Sequence, residues 1–300
     1  MKLIIDTDPG IDDAMAILYA ALAPEIELLG LTTIFGNVKT DMATRNALRL
    51  VEMAGLDIPV AHGANQPIKI PMIKPSAHVH GNEGFGDVPA QQPKGRATEE
   101  SAVEFLSRMA QEHKGELVVC PIGPITNIAE TILHDPQFAK NVQKIVLMGG
   151  AVTVGGNVTD FAEANTFHDP HALNIVLASG ADVTIVGLDV TTTTQCDDAD
   201  FEAIALKSPD LGGFLKRISS FYIDFYESIY GRRTCNLHDP AAVIACTHPH
   251  LFEMQKMNVL VEESGERIGQ TFEDASGHSV NVCVRCDSKA VQQQFVSMFG

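Results

Sequence analysis

Short apolar runs alternate with amphipathic stretches along this chain. Residues 3–5 (Leu-Ile-Ile) read as a buried strand, and residues 12–23 as the helix that follows it. Residues 26–34 form the next apolar strand. Thr40 is the expected N-cap of a helix over 40–54, with apolar spacing through Ala43, Ala47, Leu50 and Ala54 and a stop at Gly55. A short strand over 58–61 precedes residues 66–95, which are rich in Pro and Gly and show little periodicity. A loop of that length predicts a functional or mobile segment such as a lid. Residues 98–114 predict a helix with Glu99 and Glu100 in its first turn and Lys114 in its last, as the helix dipole prefers.

Further strands are expected over 117–120, 144–148 and 182–190, with helices over 126–134 and 170–179 and an irregular polar loop over 155–169. Helices over 201–206 and 211–230 follow, then one starting near Asp239. Beyond Lys256 the pattern reads as two or three strands and a helix. This alternation predicts an α/β fold built on an open, mostly parallel sheet with helices on both faces. No repeat, low-complexity tract or compositional break divides the chain, so residues 1–300 are expected to form one domain.

Composition narrows the partners. At 45% hydrophobic content, 300 residues can bury a large core. A formal net charge of −17 argues against nucleic acid or an anionic membrane surface as partner. No apolar run approaches the roughly 18 residues of a membrane span. With no apolar leader before the first strand, a cytoplasmic location is expected. The cysteines (Cys120, Cys196, Cys235, Cys246, Cys283 and Cys286) are scattered, which suits reduced thiols. Cys283 and Cys286 form a C-x-x-C inside an alternating stretch that reads as a strand.

The candidate chemistry begins where the first strand ends. Asp6, Asp8, Asp12 and Asp13 cluster at the carboxyl end of a strand and the start of the next helix, where open α/β sheets bind ligands. Two like charges about 4 Å apart repel by roughly 4 kcal/mol at an effective dielectric of 20. A hard divalent cation held by oxygen relieves that repulsion most simply. Helix capping accounts for Asp12 and Asp13 but not for Asp6 and Asp8. Asn37 follows Gly36 at the next strand end and reads equally as a turn residue or a ligand donor. The turn after Cys120 leaves backbone carbonyls outside any ladder. Asn157, Glu163, Asn165 and Asp169 share one loop and suit either turns or a polyhydroxylated ligand. His238-Asp239-Pro240 opens a late helix, and Tyr222, Tyr226 and Tyr230 recur on one helical face.

Taken in order, Asp-Thr-Asp-Pro-Gly-Ile-Asp-Asp-Ala, Thr-Thr-Ile-Phe-Gly-Asn, Ile-Gly-Pro-Ile-Thr-Asn-Ile-Ala, Leu-Met-Gly-Gly, Ala-Glu-Ala-Asn and His-Asp-Pro resemble the inosine–uridine-preferring nucleoside hydrolases. The resemblance runs over essentially the whole chain. It implies a Rossmann-like sheet in a homodimer or homotetramer, a bound Ca²⁺, and cleavage of ribonucleosides to ribose and free base in nucleoside salvage. It implies Ca²⁺ ligation by Asp8, Asp13, Asp239 and the backbone carbonyl of Ile122, with Asp8 also the general base. It places Asp12 and Asn37 at the ribose 2′-hydroxyl and Asp239 at the 3′-hydroxyl. Asn157, Glu163 and Asn165 take the other hydroxyls, and Met148 packs on the sugar. His80 matches the histidine of a mobile loop near the base, and His238 matches a leaving-group acid, with Tyr226 beside the substrate. Asp6 supports the metal site from behind. The chain departs from the family pattern at Ala164, where an aromatic is common, and in the short connection between Tyr230 and His238, so base preference stays open.

Two other readings accommodate the acids. A haloacid-dehalogenase-like phosphatase also carries Asp-x-Asp after its first strand, but its Lys and late acidic pair have no evident counterpart here. A nucleoside- or ribose-binding protein without turnover would use the same pocket.

Overall fold

A computed structural model describes residues 1–300. In chain order its strands are β1 (Lys2–Thr7), β2 (Glu27–Thr33), β3 (Val60–His62), β4 (Leu117–Pro121), β5 (Lys144–Met148) and β6 (Val183–Val186). A separate ribbon of β7 (Gln195–Asp197) and β8 (Thr234–Asn236) follows, then β9 (Phe252–Val261), β10 (Thr271–Glu273) and β11 (His278–Cys286). All but the ribbon join in one nine-stranded sheet of order β10-β9-β11-β6-β5-β4-β1-β2-β3. Only β9 runs against the rest, pairing antiparallel with β10 and β11. The predicted mostly parallel α/β sheet is therefore present.

The chain leaves β1 toward β2 on one side and returns on the other as β4. Between β1 and β4 the winding reverses, and a crevice opens at the carboxyl ends of the strands. Side chains of β1 alternate between two apolar layers. Leu3 and Ile5 pack with the helices Ile11–Leu22, Leu211–Tyr230 and His238–Thr247. Ile4 packs on the other face with the helices Ala102–Glu112, Thr126–His134 and Pro170–Ala178. Burial on both faces explains why this strand reads as a continuous apolar run.

Several boundaries differ from expectation, each for a local reason. The helix expected over 98–114 is Ala102–Glu112, because Ser101 caps it. The Ser101 hydroxyl accepts from Glu104 N at 3.3 Å, and the Glu104 carboxylate accepts from Ser101 N at 2.9 Å. Glu100 instead pairs with Arg108 at 2.7 Å. Thr40 is the first residue of its helix rather than the cap, and its hydroxyl donates to the Ala64 carbonyl at 2.7 Å. The expected strand 182–190 ends at Val186, and Gly187 turns the chain into the short helix Leu188–Thr191. The strand expected over 58–61 is shifted to Val60–His62, in register with β2. The 66–95 segment contains the short helix Ala77–His80, and the 155–169 loop contains the helix Ala164–His168.

The C-x-x-C lies in β11, with Cys283 buried and Cys286 half-buried, and all the cysteines are free. No helix is long and apolar enough to cross a membrane. Loss of the Ser101 cap tests the local account of the 102–112 helix. Ser101→Ala is expected to lower unfolding free energy by about 1 kcal/mol in urea denaturation. An unchanged midpoint would contradict the capping box.

Candidate active site

The acids sit where β1 gives way to the helix Ile11–Leu22. Gly10 precedes that helix, so Asp12 and Asp13 fall in its first turn. Asp13 folds back over the turn. Its Oδ1 accepts from the Thr7 hydroxyl at 2.5 Å and from Asp8 N at 3.2 Å. Its Oδ2 accepts from Gly10 N at 2.9 Å and from Asn37 Nδ2 at 3.0 Å. Asn37 arrives from the end of β2, and its own N–H donates to Asp8 Oδ2 at 2.6 Å. Thus β1 and β2 are tied together by their carboxyl-end residues.

Asp8 is wedged between two backbone turns. A Cβ on Gly36 would lie 2.1 Å from Asp8 Oδ2, and one on Gly123 would lie 2.4 Å from Asp8 Oδ1. Glycine at both places is what lets the carboxylate fit. Behind it, Asp6 Oδ1 accepts from the Thr32 hydroxyl at 2.5 Å and Asn127 Nδ2 at 2.7 Å. From the late helix His238–Thr247, Asp239 joins the group. Single carboxylate oxygens of Asp12, Asp13 and Asp239 lie within 4.8 Å of one another. The sequence reading put Asp8 with Asp13 and Asp239. In the structure Asp12 adds to that group, and Asp8 adjoins it through its own N–H to Asp13 Oδ1 and through Asn37, which donates to both Asp8 and Asp13.

These acids are buried and underpaired. Asp6 Oδ2, Asp8 Oδ1 and Asp12 Oδ1 have no hydrogen-bond partner. Burial pushes the Asp6 carboxyl up to about 7 and that of Asp12 up to about 6. Burial, and then the Asp13 charge, raise Asp8 well above the ordinary range. Burial and then Asp12, Asp13, Asp8 and Glu163 do the same to Asp239. The fold carries such groups at least cost while they hold protons. Stability is lost as pH rises from the ordinary carboxylate range up to these raised values, where the unfolded acids ionise and the buried ones resist, unless positive charge arrives. Oxygens of three acids within 4.8 Å of one another, with further buried carboxylate oxygens that have no donor, suit a hard divalent cation.

Above the acids lies a cavity of about 540 Å³. Of the residues singled out in the sequence, Asp12, Asn37, His80, Ile122, Met148, Asn157, Glu163, Asn165, Tyr226, His238 and Asp239 all line it. Asp8 and Asp13 are fully buried and do not. Asn165 Nδ2 donates to the Ile122 carbonyl at 2.9 Å and the Met148 carbonyl at 3.2 Å, linking the ends of β4 and β5. Glu163 caps the helix Ala164–His168 and also accepts from Gly150 N at 2.9 Å. Asn157 holds the same loop by accepting from Ala164 N at 3.0 Å.

One wall is aromatic. Tyr222, Tyr226 and Tyr230 line the cavity from a single helical face, with Tyr226 and Tyr230 stacked at 5.4 Å between ring centroids. The Tyr222 hydroxyl donates to Asp12 Oδ2 at 3.1 Å. The Tyr226 hydroxyl lies 2.8 Å from His238 Nε2. His80 Nδ1 accepts from Ile11 N at 3.2 Å. Burial keeps both histidines neutral, His80 near 4 and His238 near 3. Sequence reasoning missed His78, Phe225 and Asn236, which also line the cavity. His78, two residues before His80 on a four-residue helix, was open to detection, whereas nothing in the spacing marked Asn236.

Residues 3–293 match the family described as inosine-uridine preferring nucleoside hydrolase. Uridine nucleosidase 1 of Arabidopsis thaliana is 44% identical over 91% of this chain and 82% of its own length. Among solved structures, a plant nucleoside hydrolase (PpNRh1) superposes with a TM-score of 0.96 at 35% identity, covering 99% of this chain and 98% of that one. A purine-preferring ribonucleoside hydrolase from Gardnerella vaginalis gives 0.95 at 35% identity, over 100% and 98% of the two chains. A match of this extent displaces the phosphatase alternative. With a parallel sheet, a carboxylate-floored cavity at its switch point and relatives aligned end to end, the chain belongs to the inosine-uridine preferring nucleoside hydrolase family and is a nucleoside hydrolase.

Proposed function

We propose that this enzyme hydrolyses the N-glycosidic bond of ribonucleosides in a Ca²⁺-dependent reaction with Asp8 as general base. The observation that carries the proposal is the set of buried, unpartnered carboxylate oxygens on Asp6, Asp8 and Asp12, with Asp12 lining a polar cavity. Asp8, Asp13, Asp239 and the Ile122 carbonyl would hold the cation, with Asp12 at its edge. When bound, a divalent cation offsets the acids' charge and lowers the pKa of water beside it.

The remaining steps belong to the chain's own residues. Water adds its oxygen to the anomeric carbon as the carbon–nitrogen bond breaks. Asp8 takes the water's proton on Oδ1, the oxygen without a partner. Positive charge grows on the sugar as the bond lengthens. Asp12, Asp239 and Glu163 face the cavity with carboxylates, and Asn37, Asn157 and Asn165 add amide dipoles. Fixed negative charge in a water-poor site stabilises that cationic sugar. The same side chains bind its hydroxyls, and Met148 packs beside them.

Negative charge grows on the departing base. The Tyr226–His238 pair stands on the aromatic wall. It gives a proton to the departing base and regains one from solvent, as Asp8 releases the proton it took from water. The aromatic rings and His80 enclose the base from above. Ala164 leaves the opposite side open, which suits either base class. One relative is named a uridine nucleosidase and one solved structure a purine-preferring ribonucleoside hydrolase, which is in keeping with that latitude.

Two substitutions test these assignments. Asp8→Asn, which keeps size and shape, is expected to cut ribose release from inosine and uridine by about 10² or more. Full activity would contradict Asp8 as the base. His238→Ala is expected to slow both natural nucleosides by about 10²–10⁴ and to spare p-nitrophenyl riboside, whose leaving group needs no proton. Equal losses on all substrates would remove His238 from the leaving-group side.

A further inference from the structure

We infer that Asn236 is a positioning residue that fixes the tautomer of His238, with the proton on Nδ1 and the lone pair on the pocket-side Nε2. The inference deepens the reading of His238 as a leaving-group residue and rests on it for its bearing on catalysis. It is carried by the polarity of a hydrogen-bond chain whose roles are set from Arg232 through Gln195 to Asn236.

The chain starts at two groups with no choice of role. Arg232 has only donors, and its Nη2 lies 2.6 Å from Gln195 Oε1. The Thr192 carbonyl has only acceptor capacity, and Gln195 Nε2 lies 3.2 Å from it. Together they fix the Gln195 amide, with its oxygen toward Arg232 and its nitrogen toward Thr192. The same Gln195 Nε2 lies 2.9 Å from Asn236 Oδ1, so that oxygen accepts. Gln195 and Asn236 face each other directly across the β7–β8 ribbon, which holds this contact in register.

With Oδ1 committed, Asn236 must present Nδ2 on its other side. That nitrogen lies 3.3 Å from His238 Nε2 and 3.0 Å from the Tyr230 hydroxyl. A protonated Nε2 would set N–H against N–H inside a buried contact, where a polar group facing its own kind goes unsatisfied. Nε2 therefore accepts, and the neutral ring carries its proton on Nδ1. Nδ1 lies 2.7 Å from the Thr191 hydroxyl, which accepts it. Thr191 is fully buried, whereas Tyr226 and Asn236 on the Nε2 side line the cavity.

The consequence falls on Tyr226. With a lone pair on Nε2, the Tyr226 hydroxyl donates to the ring across 2.8 Å. His238 thus meets the reaction as an acceptor whose proton traffic runs through Tyr226. Asn236, Gln195 and Arg232 touch neither the ring's far side nor the acid cluster. They act through the orientation of one amide.

The ring nitrogens report the tautomer directly. The protein would be labelled with ¹⁵N-histidine, and the His238 signals assigned by their loss in His238→Gln. At neutral pH, long-range ¹H–¹⁵N spectra are expected to show Nδ1 as the protonated, pyrrole-type nitrogen and Nε2 as the pyridine-type one. Gln195→Glu keeps the Arg232 pair and removes the donor to Asn236. The Asn236 amide then turns over, and the two nitrogen signals are expected to exchange types. A wild-type ring protonated on Nε2 would overturn the inference, as would a Gln195→Glu spectrum identical to wild type. The wild-type spectrum needs no variant, so misfolding of Gln195→Glu still leaves the inference exposed to contradiction. No turnover enters the readout. Equal losses in the His238→Ala assay would remove the leaving-group role and leave the tautomer standing, while an Nε2-protonated ring would do the reverse.

Discussion

Like charges buried against one another at the end of β1 are the constraint on which the rest of the site depends. Asp6, Asp8, Asp12, Asp13 and Asp239 are all shielded from solvent, and three of them leave an oxygen with no partner. Nothing in a folded core gains by this arrangement alone, since burial and mutual repulsion both favour the protonated acids. The surrounding chain is shaped to tolerate it. Gly36 and Gly123 make room for Asp8. Thr7, Gly10 and Asn37 spend their donors on Asp13. Thr32 and Asn127 do the same for Asp6. Residues from β1, β2, β4 and the last buried helix therefore converge on one floor, and the reversal of winding between β1 and β4 is what leaves space above it.

The opposite wall is built on a different principle. There the polar groups are matched rather than left short. Tyr222 is tied to Asp12, and Tyr226 to His238. His238 is tied in turn to Thr191, and Asn236 to Gln195. The cavity thus has carboxylates at one end and a hydrogen-bonded aromatic network at the other. This division follows the charge that develops when a glycosidic bond breaks.

Much of the floor was legible in the sequence. Asp6, Asp8, Asp12 and Asp13 lie close together, and a strand followed by a helix can place them in only one way. Asp239 was legible only through the resemblance of His-Asp-Pro, because more than two hundred residues separate it from the others. The nearness of an Asp12 oxygen to Asp13 and Asp239 was not legible, nor was the fit of Asp8 between the glycine turns after β2 and β4, because both depend on chain far from the first strand. Helix starts failed where two signals competed. Glu99 and Glu100 mimic a first turn, yet Ser101 and Glu104 form the cap. Asn236 was silent because its role is set by a partner across an antiparallel ribbon, and strand pairing leaves no mark on local spacing.

The central claim is that the buried acids are built to be neutralised by a divalent cation. Calorimetric titration of chelator-treated protein with Ca²⁺ at pH 7, repeated in buffers of different ionisation enthalpy, tests it most directly. Without the cation, Asp6 and Asp12, raised to about 7 and about 6, and Asp8 and Asp239, raised well above the ordinary carboxylate range, keep part of their protons at that pH. Cation binding must expel those protons. The account predicts saturable binding with proton release that shrinks as the titration is moved to higher pH. Binding that releases no protons, or ribose release undiminished in the chelated protein, would contradict it.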